Sequence, residues 1–183
     1  RPFTAKYLWL RSGSILLVLL VLLSSACSSN ANSGRSIPGE ENMGAYLLVY
    51  FSDDSHSLHL ALSADGYTFT AVNDGDPVVR GDMVASQKGV RDPHIARGPD
   101  EAFYLAMTDL HLNAQRRGYR TTRWERPAEE YDWGNNRGFV LMKSFDLIHW
   151  THSNALLDES FSELNNIGCA WAPQTIYDPV ADK

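Results

Sequence analysis

The chain has 183 residues, enough for one ordinary domain, and its 44% hydrophobic against 21% charged content excludes wholesale disorder. A formal net charge of −6 excludes the basic surface that a general nucleic-acid binder needs. The sequence opens on Arg1 rather than Met and stops at Lys183 just after a strand signal has begun, so it is expected to be a fragment of a longer protein.

Lys6 and Arg11 give a basic start, and residues 15–23 form an unbroken aliphatic run. That run is too short for a membrane span, which needs about 20 residues, and it suits the core of a signal peptide over residues 1–26. Ser24, Ser25 and Ala26 then lead to Cys27. Leu-Ser-Ser-Ala-Cys resembles the lipobox of bacterial lipoproteins, with Ser24 in place of the usual aliphatic residue. The resemblance implies an exported chain anchored to the membrane of the cell envelope through lipid on Cys27. A plain secretory signal cut near Ala26 is the alternative. Lipidation of Cys27 leaves Cys169 without a disulfide partner. Residues 27–44, rich in Ser, Asn and Gly, read as a flexible tether.

From residue 45 onward the pattern is all-β. Residues 46–51 are a continuous apolar run, expected to be a buried strand. Residues 58–62 alternate, Ala64-Asp65-Gly66 is a hairpin signal, and 67–70 alternate again. Further strands are predicted over 95–97, 103–107, 139–143 and 148–151, with one or two helical turns in 156–164. Two hairpins repeat. Leu60, Ser63, Asp65, Phe69 and Thr70 match Leu141, Ser144, Asp146, Trp150 and Thr151 at a constant offset of 81 residues. Repeated hairpins point to a radial array of small antiparallel sheets, a β-propeller. One complete blade is expected from Asp92 to about Ser153, with parts of two others flanking it. Residues 110–136 are long for a connection and read as an insertion between the second and third strands of that blade. They mix Arg116, Arg117, Arg120, Arg123 and Arg126 with acids, and interleave Tyr119, Trp124, Tyr131 and Trp133. Such a loop suits either sugar binding or local packing on the surface.

Asp92 is the candidate for chemistry. It stands between Arg91 and Pro93, where a proline is tolerated at the first position of a strand. It is therefore expected at a strand entrance on a stiff backbone, with Arg91 beside it holding the carboxylate ionised. Asp-Pro is also a plain turn signal, and Asp76-Pro77 and Asp178-Pro179 carry it too. His94 and His111 lack partners at metal-ligand spacing and read as structural.

The ordered set of Val90-Arg91-Asp92-Pro93-His94-Ile95, Phe103-Tyr104-Leu105, residues 136–150 and Trp171-Ala172-Pro173-Gln174 resembles glycoside hydrolase family 43 over residues 45–183. The resemblance implies a five-bladed propeller that hydrolyses arabinose- or xylose-containing plant polysaccharides or oligosaccharides with inversion. Asp92 matches the family's general base. Trp171 matches a wall of the sugar pocket, Gln174 is placed to reach a hydroxyl, and Asp109, at the end of a strand, is a further substrate-binding candidate. The other two acids of the family come from later blades, beyond Lys183. A structural calcium on the axis of the full-length propeller is implied as well, with ligands from those blades and none from this segment. Three alternatives stay open. A family 32-like glycosidase shares the propeller and an Arg-Asp-Pro motif, but its Asn-Asp-Pro-Asn motif is absent here. The others are a non-catalytic glycan-binding lipoprotein on the same fold, and a propeller serving protein contacts.

Mass spectrometry of the N-terminal peptide from a membrane fraction is expected to show a chain starting at a lipid-modified Cys27. An unmodified Cys27 in the soluble fraction would reject the lipoprotein reading.

Overall fold

The structure is a computed structural model that describes residues 44–120, 128–131 and 134–183. The signal segment, Cys27, most of the tether, and Arg123, Trp124, Arg126 and Trp133 of the insertion lie outside the described residues.

Two antiparallel sheets make up the described chain. The first contains β1 (Tyr46–Ser52), β2 (Ser57–Ser63) and β3 (Thr70–Ala71), in that order. The second contains β4 (Val90–Arg97), β5 (Phe103–Asp109), β6 (Gly138–Ser144) and β7 (Thr151–Leu156). Helix is confined to single turns, among them Gly81–Val84 and Leu157–Ser160. The 110–136 insertion joins β5 to β6, as expected.

The repeat holds down to individual bonds. β2 meets β3 with Ala61 opposite Ala71, and β6 meets β7 with Met142 opposite His152, the same pair moved by 81 positions. Ser63 Oγ donates to Asp65 Oδ1 and accepts the amides of Asp65 and Gly66. Ser144 Oγ does the same with Asp146 and Leu147. In each turn the third residue has positive φ, 76° at Gly66 and 65° at Leu147. Only β4 lacks a counterpart among the described residues of the first sheet.

Two expected strands begin later than the alternation implied, for one reason. Asp65 Oδ1 accepts the amides of Tyr67 and Thr68, both at 2.8 Å. Asp146 Oδ1 accepts those of Ile148 and His149 at 2.9 and 2.8 Å. Amides spent on a carboxylate cannot join a ladder, so pairing starts only at Thr70 and Thr151. These bonds to the charged form hold Asp65 down at about 2, the Thr68 and Tyr67 amides contributing most. Asp146 lies lower still, with His149 the largest cause. The 46–51 run is only half-buried, with Leu48 42% exposed, because one face alone packs on the core.

That core lies between the sheets: Leu58 from β2, Val90 from β4, Leu105 and Met107 from β5, and Val140 and Met142 from β6. The linker 76–89 closes it with Val79, Val84 and Ala85. Gly81 is required there, since a Cβ would stand 2.1 Å from the His56 carbonyl oxygen.

Ser63→Ala and Ser144→Ala are each expected to cost about 1–2 kcal/mol, since each strips a buried hydroxyl from its amides. Equal losses in urea unfolding are the mark of a true repeat, and a loss at one site only would contradict it.

Candidate active site

β4 does not run straight. Its register with β5 shifts between Arg91 and His94, so Asp92 and Pro93 together bulge past one residue. Pro93 has no N–H to give a ladder and is tolerated there. Asp92 takes φ 48°, a left-handed conformation that Asp accepts more readily than most residues. The expected strand entrance is thus a kink at the third residue of β4.

The kink parts two neighbours. The Arg91 guanidinium reaches Asp53 in the β1–β2 turn and lies 4.4 Å over the Phe51 ring. The ion-pair partner of Arg91 is thus Asp53, where the sequence suggested Asp92. The half-buried Asp92 instead accepts a hydrogen bond on Oδ2 from the Thr108 hydroxyl at 3.0 Å. Thr108, fully buried on β5, also accepts the Ala172 amide at 2.9 Å.

Residues 170–175 run along the same face, tied down by side chains rather than by a ladder. Asn136 is fully buried and clamps Ala170 with two bonds of 2.6 Å, one to its carbonyl and one from its amide. Trp171 Nε1 donates to the Gly134 carbonyl at 3.1 Å. A Cβ on Gly134 would come 2.6 Å from that ring. His94 Nδ1 accepts the Thr175 amide at 3.2 Å. Ala172 precedes a proline and takes φ 48°, as Asp92 does.

The structure therefore brings Asp92 and Trp171 to one end of the second sheet, linked through Thr108 and the Ala172 amide. Trp171 keeps 47% of its surface open. Gln174 is exposed. Asp109 is on the opposite face of β5 and 2% exposed. Its two oxygens accept the amides of Ser86 and Gln87 at 2.9 and 2.8 Å. Burial pushes its carboxyl above the usual range in spite of those amides. Asp178 opens a turn, accepting the Val180 amide at 2.8 Å. Cys169 is a free, exposed cysteine. Among the described residues no three His, Cys, Asp or Glu side chains converge as a metal site. The bonds missing from the sequence reading are those of Thr108, Asn136 and Ala172. The Asn136-Arg137-Gly138 run was their one visible trace.

At the same end a cleft opens beside the β1–β2 turn, lined by Asp53, His56, Asp82, Lys88, His111 and Arg117. His56 and His111 stack in it, 3.6 Å between ring centroids and 8° from parallel. His56 Nε2 accepts the Leu112 amide and His111 Nδ1 accepts the Asn113 amide, so neither nitrogen can carry a proton. Burial, then the neighbouring His56 and Arg117, lowers His111 to about 4, and burial lowers His56 as well.

An all-β protein with an acid on a kinked strand beside an open tryptophan has the outline of a carbohydrate-active enzyme. A family model described as "Probable glycosyl hydrolase domain", related to glycoside hydrolase family 43, matches residues 41–183, and the chain belongs to that family. No curated protein and no solved structure matches it.

The stacked histidines make a pH prediction. Their folded-state values lie below the ordinary 6.5, so the unfolded chain binds more protons and stability falls as pH drops from 6.5 toward 4. Asp109, raised by burial, acts in the opposite sense at the lower end. Urea midpoints measured between pH 7 and 4.5 are expected to fall. His111→Asn, which keeps an acceptor for the Asn113 amide, is expected to flatten that slope. An unchanged slope would mean that the pair does not titrate on unfolding.

Proposed function

We propose that the protein is an inverting glycoside hydrolase acting on arabinose- or xylose-containing plant polysaccharides or oligosaccharides, with Asp92 as general base. The family supports glycosidic hydrolysis in general. The observation that carries the finer reading is the kink that turns Asp92 out of the strand. Thr108 occupies one carboxylate oxygen, and among the described residues no donor takes the other. Inversion needs a carboxylate to deprotonate water and an acid, about 6.5–9.5 Å away, to protonate the leaving oxygen. Asp92 fits the first role. The second is assigned to another blade entrance of a five-bladed propeller in the full-length protein. The open face of Trp171 stacks against sugar C–H groups, and Gln174 reaches a hydroxyl. Asp109 serves from behind, by fixing the Ser86–Gln87 turn. Export and anchoring through lipidated Cys27 place this activity in the cell envelope.

In the full-length protein, Asp92→Asn is expected to lower turnover of an aryl arabinofuranoside or xyloside by about 10²–10⁴-fold, as loss of a general base does. The thermal midpoint should stay near that of the wild type. Near-normal turnover by a folded variant would show that another carboxylate is the base. Sugar binding without turnover by the wild type would favour the glycan-binding alternative, which the open Trp171 serves equally well.

A further inference from the structure

We propose that Thr108 is a positioning residue for Asp92, its hydroxyl oriented by the Ala172 amide so that it fixes one carboxylate oxygen and leaves the other to meet water. This rests on the reading of Asp92 as the base.

The argument is one of hydrogen-bond supply. A threonine hydroxyl has one proton and two lone pairs. The Ala172 amide has only a proton to give, and it points at Oγ1 from 2.9 Å. That contact occupies a lone pair and leaves the hydroxyl proton for Asp92 Oδ2, 3.0 Å away. Thr108 is fully buried, so water does not compete for either bond. The backbone of Thr108 is held on both sides, opposite Arg91 on β4 and Phe139 on β6, which fixes where Oγ1 stands. The hydroxyl thus bridges two pre-proline kinks that share φ 48°. It ties the base on β4 to the segment that carries Trp171, so the orientation of the carboxylate and the position of the sugar wall share one support.

The test uses full-length protein with an aryl arabinofuranoside or xyloside, comparing Thr108→Val, Thr108→Ser and Asp92→Asn. Thr108→Val keeps the shape and removes the proton. It is expected to lower kcat by about 10–100-fold, the worth of a hydrogen bond to a charged group, with KM little changed. Thr108→Ser restores the donor and is expected to return most of the rate. A raised KM with kcat unchanged in Thr108→Val would overturn the inference, since it would assign the hydroxyl to the sugar wall alone. Equal losses in the Val and Ser variants would overturn it too, since keeping the hydroxyl donor would then bring no benefit. Where Thr108→Val does not fold, Thr108→Cys, with a weak donor of similar size, is read by the same split. A fall in kcat alone supports the inference and an unchanged kcat overturns it. High activity in Asp92→Asn would remove the base reading itself. Inactivity of Asp92→Asn beside a normal Thr108→Val would reject Thr108 alone.

Discussion

The site depends on a backbone conformation that the chain would not adopt unaided. Asp92 and Ala172 both precede proline, a position biased toward extended backbone, and both have φ 48°. Left-handed residues of this kind cost about 1–3 kcal/mol each and persist only where their surroundings over-determine them. At Asp92 the surroundings are the bulge against β5 and the Thr108 hydroxyl. At Ala172, where the side chain offers no help, they are the Thr108 hydroxyl and the Asn136 clamp on Ala170, two residues earlier. The two kinks share a support, so neither can relax alone. From adjacent positions Arg91 reaches Asp53 and Asp92 reaches Thr108.

Residues 170–175 illustrate how side chains can stand in for a sheet. No strand forms there, although the alternation after Pro173 reads as one, because no partner strand flanks it among the described residues. Asn136 offers Ala170 the donor and acceptor that a neighbouring backbone would have given. His94 takes the Thr175 amide. Anchors of this kind fix the backbone and leave the outer face open, which suits a segment whose Trp171 is 47% exposed.

What the sequence disclosed divides along the range of the interactions. The Ser-x-Asp turns were legible because their bonds span two or three residues, and so the repeat of 81 could be read directly. Their effect on the following strand was not, because alternation says nothing of amides already taken by Asp65 and Asp146. Asp92 was legible through Pro93 and through its resemblance to a known pattern. Thr108 and Asn136 were not, since their partners lie 16 and 34 residues away and nothing in a lone Thr or Asn announces one. The pairing of Arg91 with Asp53 was not legible either, since the two lie 38 residues apart.

The two aspartates nearest the kink show why partners, rather than ionisation alone, separate chemistry from scaffold. Asp109 has the raised carboxyl often associated with catalytic acids. Yet both its oxygens hold backbone amides, and its carbonyl accepts the Gln87 side-chain amide at 3.1 Å. That same Gln87 nitrogen bonds the Asn135 carbonyl at 3.1 Å, and the buried Arg120 joins Gln87 and Asn135 from within the insertion. Asp109 and Asn135 are thus pinned together at the base of the insertion by a buried polar network, which is costly to leave half made. Asp92, one strand away, has a single bonded oxygen among the described residues and a kink that turns it from the ladder. The fold uses one carboxylate to close a loop and, among the described residues, leaves the other with one oxygen unbonded, which is the arrangement that the proposed base needs.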